Sequence, residues 1–224
     1  AAFLPLLVIG GGLTTLAHGI LKDRLLEAVA TEVGLHREEV DQYLEARVRD
    51  LRLLARHIPL ATLGSPEGLA AVFASFREER TGFQDLGVID SQGRHRAYAG
   101  PYDLMGRNYR EAPWFREGML RGVYISDVFL GFRGVPHFVL AVRQDDPAGP
   151  WILRATVDAA SFDRLVSAIS DRHRGRAYLL NLEGRYQTTP PAGLTDPVPA
   201  EGLAQVPAEA LTQEDRGARV VFRT

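Results

Sequence analysis

The spacing of apolar positions changes along the chain, and each change marks a boundary between elements. Residues 1–20 contain no Asp, Glu, Lys or Arg. At about 1.5 Å per helical residue such a run spans roughly 30 Å, the thickness of a bilayer's hydrocarbon core, and predicts a transmembrane helix. The triplet Gly10, Gly11 and Gly12 is tolerated in lipid, where small residues permit close helix packing. From Lys22 to Ile58 the apolar residues Val33, Val40, Leu44, Val48, Leu51, Leu54 and Ile58 recur at threes, fours and sevens with Arg and Glu between them. That period predicts one long amphipathic helix over 21–62, with Gly34 a soft spot costing about 1 kcal/mol relative to alanine. Ser65, Pro66 and Glu67 supply an N-cap, a first-turn proline and an acidic residue at the positive end of the dipole. A second helix is therefore expected through Glu79.

Beyond Glu79 the apolar runs shorten to strand length. Leu86 to Asp90 reads as a buried strand, Ser91-Gln92-Gly93 as a turn, and Arg94 to Ala99 as returning extended chain. Pro113 opens a third helix that Gly122 ends. Strands are then expected at Val123–Leu130, Pro136–Arg143 and Trp151–Val157, with a turn at Gly131–Val135 and a helix at Ala160–Ile169. The pattern of an apolar run, an Asp or Asn, a polar residue and Gly recurs as AYLLNLEG, ending at Gly184. This marks an internal duplication. A second hairpin is expected at 176–188, then a proline-rich connection from Pro190 to Pro207 and a strand at Ala218–Phe222. The fold class is α+β: a long N-terminal helix followed by two antiparallel-sheet modules, 63–170 and 171–224, the second incomplete.

Composition removes several functions. With a formal charge of −2 and 46% hydrophobic residues, the chain is neither a disordered acidic tail nor a nucleic-acid binder. Cysteine is absent, which excludes disulfides, thiolate metal sites and cysteine nucleophiles. No HExxH, GxSxG or P-loop pattern occurs, and His18, His36, His57, His95, His137 and His173 are scattered, so no catalytic residue, metal site or cofactor is expected. Two other readings exist for the N-terminus. Thr15-Leu16-Ala17 is a poor signal-peptide cleavage site, and FLPLLVIGGGLTTLAHG is writable as the strand, glycine turn and helix of a flavin or nicotinamide enzyme. The second needs a strand ending in an acidic residue about twenty positions on, where the chain has a helical rhythm instead.

The segment NYREAPWFREGMLRGVYISDVFLGFRGVPHFVLAVR, Asn108 to Arg143, resembles a Cache domain, in the double form of that family. The resemblance covers roughly residues 20–224. It implies two PAS-like modules, the first far from the membrane, in the extracytoplasmic sensing region of a bacterial inner-membrane receptor. The output it implies is a sensor histidine kinase, with a methyl-accepting chemoreceptor or a diguanylate cyclase as alternatives. A homodimer transmitting through the long helix, and a ligand that is an organic acid, an amine or amino-acid-like, follow from the same resemblance. A ligandless dimerisation module is the competing class.

In the amino-acid sensors of that family, the position of Asp158 holds the ligand ammonium, and a tryptophan matching Trp114 walls the site. As residues alone, Trp114 is equally a core side chain and Asp158 an ordinary helix cap. The rest of the motif departs from the pattern. Ala112 stands where an arginine clamps the ligand carboxylate, and Phe115, Phe129 and Gly131 replace two tyrosines and an aspartate. Losing that charge-assisted pair removes about 1.5–3 kcal/mol, which points away from a free amino acid held in the standard way. Substitute arginines are available in Arg107, Arg110 and Arg116, which suit a small anion. Tyr124, Ser126, Asp127 and His137 offer polar contacts, though alternation puts Tyr124 and Ser126 on one face and Asp127 on the other. The expected lining is thus Trp114, Asp158, Arg110, Phe129, Tyr124, Arg116 and Asp127.

Overall fold

In the computed structural model, residues 3–79, 82–172, 176–181, 183–190 and 218–223 are described. Helix α1 runs from Phe3 to His57, and Ile58 closes its last turn with a bond from its N–H to the Leu54 carbonyl, 3.1 Å. Pro59 cannot continue the helix; it leads into a single turn, α2 (Leu60–Leu63), which the periodicity did not separate from the helix before it. Among the described residues no helix is long and apolar enough to cross a membrane. The side chains of residues 1–12, on which most of the expected span falls, lie outside those described. Helix α3 (Pro66–Glu79) starts as its cap predicts, with the Gly68 N–H donating to Ser65 Oγ at 3.1 Å.

The chain divides into two compact units, one made of Val40–Ala168 with Gln187–Thr189, the other of Ala1–Glu39, Ile169–Tyr186 and Pro190–Thr224. In the first, strands β1 (Phe83–Ile89), β2 (His95–Ala99), β3 (Val123–Ile125), β4 (His137–Gln144) and β5 (Trp151–Asp158) form an antiparallel sheet in the order β2-β1-β5-β4-β3. Each strand points alternate side chains to opposite faces. Leu86, Val88, Phe138, Leu140, Val142, Leu153, Ala155 and Val157 are buried on one face. There Phe138 meets Phe162 of helix α5 (Ala159–Arg172), which in turn meets Tyr43 of α1, and Phe83 stacks on Phe76 of α3. The other face carries helix α4 (Pro113–Arg121) over Ile89, Val139, Ala141 and Ile152, with Tyr109, Trp114 and Phe115 in the same core. Gly118 permits the close approach: a Cβ there would sit 3.1 Å from Ala141 and 3.2 Å from Ile152.

Two strand boundaries differ from expectation by more than one residue. Strand β1 begins at Phe83 rather than Leu86, because Asp85 is fully buried in the sheet opposite Thr156. Strand β3 stops at Ile125 rather than Leu130. There the hydroxyl of Ser126 takes the N–H of Val139 at 2.9 Å and donates to the Asp127 carbonyl, while the Val128 N–H donates to Gln187 Oε1 at 2.6 Å. The backbone ladder keeps the bond from the Ser126 N–H to the Val139 carbonyl at 2.9 Å, loses the return bond to the hydroxyl, and resumes as a bridge between Phe129 and His137. Gly131–Arg133 then forms one 3₁₀ turn, closed by Gly134 in the left-handed region.

In the second unit β6 (Arg176–Asn181) pairs antiparallel with β7 (Ala218–Arg223). The connection expected from Pro190 to Pro207 lies, past Pro190, outside the described residues. The turn after β6 repeats the turn after β1 bond for bond. The Asp90 N–H donates to the Arg94 carbonyl at 2.9 Å, the Gly93 N–H to the Asp90 carbonyl at 3.0 Å, and Asp90 Oδ1 accepts from Gln92 and Arg94. Asn181, Glu183, Gly184 and Arg185 make the same four bonds, and Gly93 and Gly184 share φ of 80° and 78°. The repeated sequence pattern thus forms the same turn twice.

Candidate functional site

A polar centre is built into the α4-covered face of the sheet, wholly within the unit that contains Val40–Ala168. Register places Arg154 directly between Gly87 and Ala141, and Thr156 between Asp85 and Val139. The small neighbours leave a long side chain room to fold back along its own strand. Arg154 does so: its Nη2 donates to Thr156 Oγ1 at 2.7 Å and to Asp85 Oδ1 at 3.0 Å, and the Thr156 hydroxyl donates to the same Asp85 oxygen at 2.7 Å. Tyr98 OH donates to Asp85 Oδ2 at 3.2 Å. A second guanidinium, that of Arg133 on the 3₁₀ turn, has its Nε 3.8 Å from Asp85 Oδ2. The side chains of Arg133 and Arg154 are each 2% exposed and that of Asp85 0%.

Two buried cations thus share one buried carboxylate, and the donors outnumber their acceptors. Arg133 Nε, Arg133 Nη1 and Arg154 Nε are buried without a hydrogen-bond partner. A buried polar group left unpaired costs about 1–3 kcal/mol, more when charged, so three at one place demand a function or a partner. Aromatic rings enclose the pair. Arg154 lies over Tyr109 at 5.6 Å and Trp114 at 5.9 Å, and Arg133 over Tyr102 at 4.2 Å, distances at which ring quadrupoles attract a cation.

Two histidines border the centre. His95 Nδ1 faces the Leu104 carbonyl at 2.9 Å and His137 Nδ1 the Val135 carbonyl at 2.7 Å; a carbonyl only accepts, so in both rings Nδ1 carries the proton. Burial, with Arg154 adding repulsion, pushes His95 down to about 4. His137 is lowered by burial first and then by Arg133 and Arg154. Both rings are neutral at neutral pH, and His95 Nε2 is buried and unpartnered. Gly87 makes room for that ring, since a Cβ would stand 2.8 Å from His95 Nε2. Burial also raises the Tyr98 and Tyr109 hydroxyls above the ordinary tyrosine range.

Of the residues expected from sequence, Trp114 is buried beside Arg154, and Phe129 packs on the same core and against His137 at 4.6 Å. Tyr124 is half-buried against α4 with Arg121 over its ring at 5.9 Å. Asp158 stands at the end of β5, its Oδ1 accepting from the Ala160 N–H at 3.4 Å in exposed surroundings. Arg110, Arg116 and Asp127 are exposed, Arg110 reaching Gln92 at 3.4 Å and Arg116 approaching Glu111 at 3.8 Å. Arg107 is likewise exposed and lies over Phe132. Asp85, Arg133 and Arg154 were not singled out from the sequence as lining. The signal available for two of them was a charged residue inside an otherwise apolar strand, FQDLGVI and WILRATV, since Asp and Arg are almost never buried unless paired. Among the described residues no group of acidic or histidine side chains is arranged to hold a metal ion.

No family model and no curated protein matches the chain. Solved structures do. The ligand-binding domain of the Pseudomonas fluorescens chemoreceptor CtaA, solved with L-isoleucine, superposes with a TM-score of 0.69 at 12% identity, over 92% of this chain and 94% of that one. The ligand-binding domain of the Pseudomonas aeruginosa amino-acid chemoreceptor PctC, solved with GABA, gives 0.63 at 14% identity, over 87% and 96%. The extracellular domain of a protein described as a histidine kinase gives 0.61 at 14%, over 75% and 70%. The chain, with its long N-terminal helix and five-stranded antiparallel sheet, therefore shares its fold with the ligand-binding domains of these receptors.

Proposed function

We propose that the chain is the extracytoplasmic small-molecule-sensing region of a membrane-bound signal-transduction receptor. The observation that carries the reading is the pair of buried arginines, short of three hydrogen-bond acceptors and walled by Tyr102, Tyr109 and Trp114, on the sheet face beneath α4. Native interiors rarely leave such donors unpaired, and a bound small molecule with acceptor oxygens would satisfy them. The likeness in fold to chemoreceptor ligand-binding domains supports the same reading.

Attachment through residues 1–20, a homodimer along α1, and a histidine-kinase or chemoreceptor output complete the proposal. The uncharged N-terminal run supports the first, and the amphipathic period of the long helix the second. Ligand binding would bias a two-state element in the sensing unit, which α1 then transmits. A thermal-shift screen of the 224-residue chain against small acids, amines and amino acids tests the sensing role. At least one class is expected to raise Tm in a concentration-dependent way, because a ligand that binds only the folded state stabilises it. A response lost on substituting Arg154 would place the ligand at the arginine pair.

A further inference from the structure

We infer that the ligand of this site is a small organic anion without an ammonium group, held through Arg133 and Arg154; the inference rests on the sensing role proposed above. A zwitterion needs an anionic acceptor beside the cationic donors. Asp85 is the carboxylate buried between the two guanidinium groups, and it is already occupied: Oδ1 accepts from Arg154 and Thr156, and Oδ2 accepts from Tyr98 and faces Arg133. The neighbouring acids are committed elsewhere. Glu117 on α4 is paired with Arg121 at 2.7 Å, and Asp158 caps α5 in exposed surroundings. Beside the buried guanidinium groups, His95 Nε2 is an unpartnered acceptor, and it is a neutral lone pair. Three unpartnered donors on two cations, set against one spent carboxylate, leave a net positive site that an anion neutralises and an ammonium does not. A carboxylate with an apolar body fits both the donors and the walls of Trp114 and Tyr109. The fold-sharing domains solved with L-isoleucine and GABA bind amino compounds, so the arginine pair marks a change of ligand class.

Isocaproate, L-leucine and isoamylamine share one branched skeleton and carry, in turn, a carboxylate, both charges and an ammonium; glutarate and GABA extend the set. Calorimetric titration of each into the 224-residue chain is expected to show an acid binding at least about tenfold more tightly than its ammonium-bearing counterpart. Arg133→Gln should weaken that binding by about tenfold or more while ligand-free circular dichroism and Tm hold. Asp158→Asn should leave the acid's affinity unchanged. Tighter binding of the zwitterion or the amine, loss of binding in Asp158→Asn, or indifference to Arg133→Gln overturns the anion and leaves the sensing role standing. A blank across acids, zwitterions and amines overturns both.

Discussion

Arg154 sits in the middle of strand β5, buried along all but its last residue, where an unpaired charge would be intolerable, and Asp85 is what makes it tolerable. Removing one partner of a buried ion pair leaves the other uncompensated, which costs about 3–5 kcal/mol. In Asp85→Asn two guanidinium groups lose that compensation together, so a loss of that size is expected in urea unfolding of the ligand-free chain. Arg133→Gln removes surplus positive charge, and ligand-free stability should hold or rise. The histidines set a pH dependence of definite sign. Both are held neutral in the folded chain, His95 down to about 4, whereas the unfolded ring takes its proton near 6.5. Between those values the unfolded state binds more protons. Stability is therefore full above pH 6.5 or so and falls as pH drops toward about 4. The slope of unfolding midpoint against pH over that window should flatten in His95→Gln.

At the scale of elements, local chemistry places starts and stops where sequence expects them. Pro66 with the Ser65 cap opens α3, and Pro113 and Gly122 bound α4. Elements that answer to tertiary partners escaped that reading. Strand β1 extends through Asp85 only because Arg154 and Thr156 satisfy its carboxylate, and β3 ends early only because a serine hydroxyl replaces a ladder acceptor. Neither partner is near in sequence. Helix α1 keeps its soft spot: an added Cβ at Gly34 meets nothing within 4 Å in the single chain. Gly34→Ala should therefore stabilise the chain by about 1 kcal/mol, read from the shift in denaturation midpoint. A loss instead would mean that this face of α1 is covered by another chain.

Across the whole molecule, architecture was legible and the candidate site was half legible. Alternating runs, turn residues and a repeated motif suffice to expect a long helix and antiparallel modules, because those signals are local and summed over many residues. The site depends on pairing across the sheet, Gly87 and Ala141 either side of Arg154 and Asp85 beside Thr156, which no spacing within one strand reveals. Trp114 is visible as an aromatic at a helix start, whereas Arg133 lies in the expected turn Gly131–Val135, where no spacing marks its burial. The twin turns Asp90–Arg94 and Asn181–Arg185 lead to a consequence of another kind. Since each is closed by its own side chain and its own glycine, each carries its conformation with it, as an interchangeable part. Grafting NLEGR in place of DSQGR should leave the β1–β2 register intact, with amide-exchange protection of Leu86, Val88 and Ala97 unchanged. Gly93→Ala, whose Cβ would lie 2.4 Å from the Arg110 backbone nitrogen, should erase it.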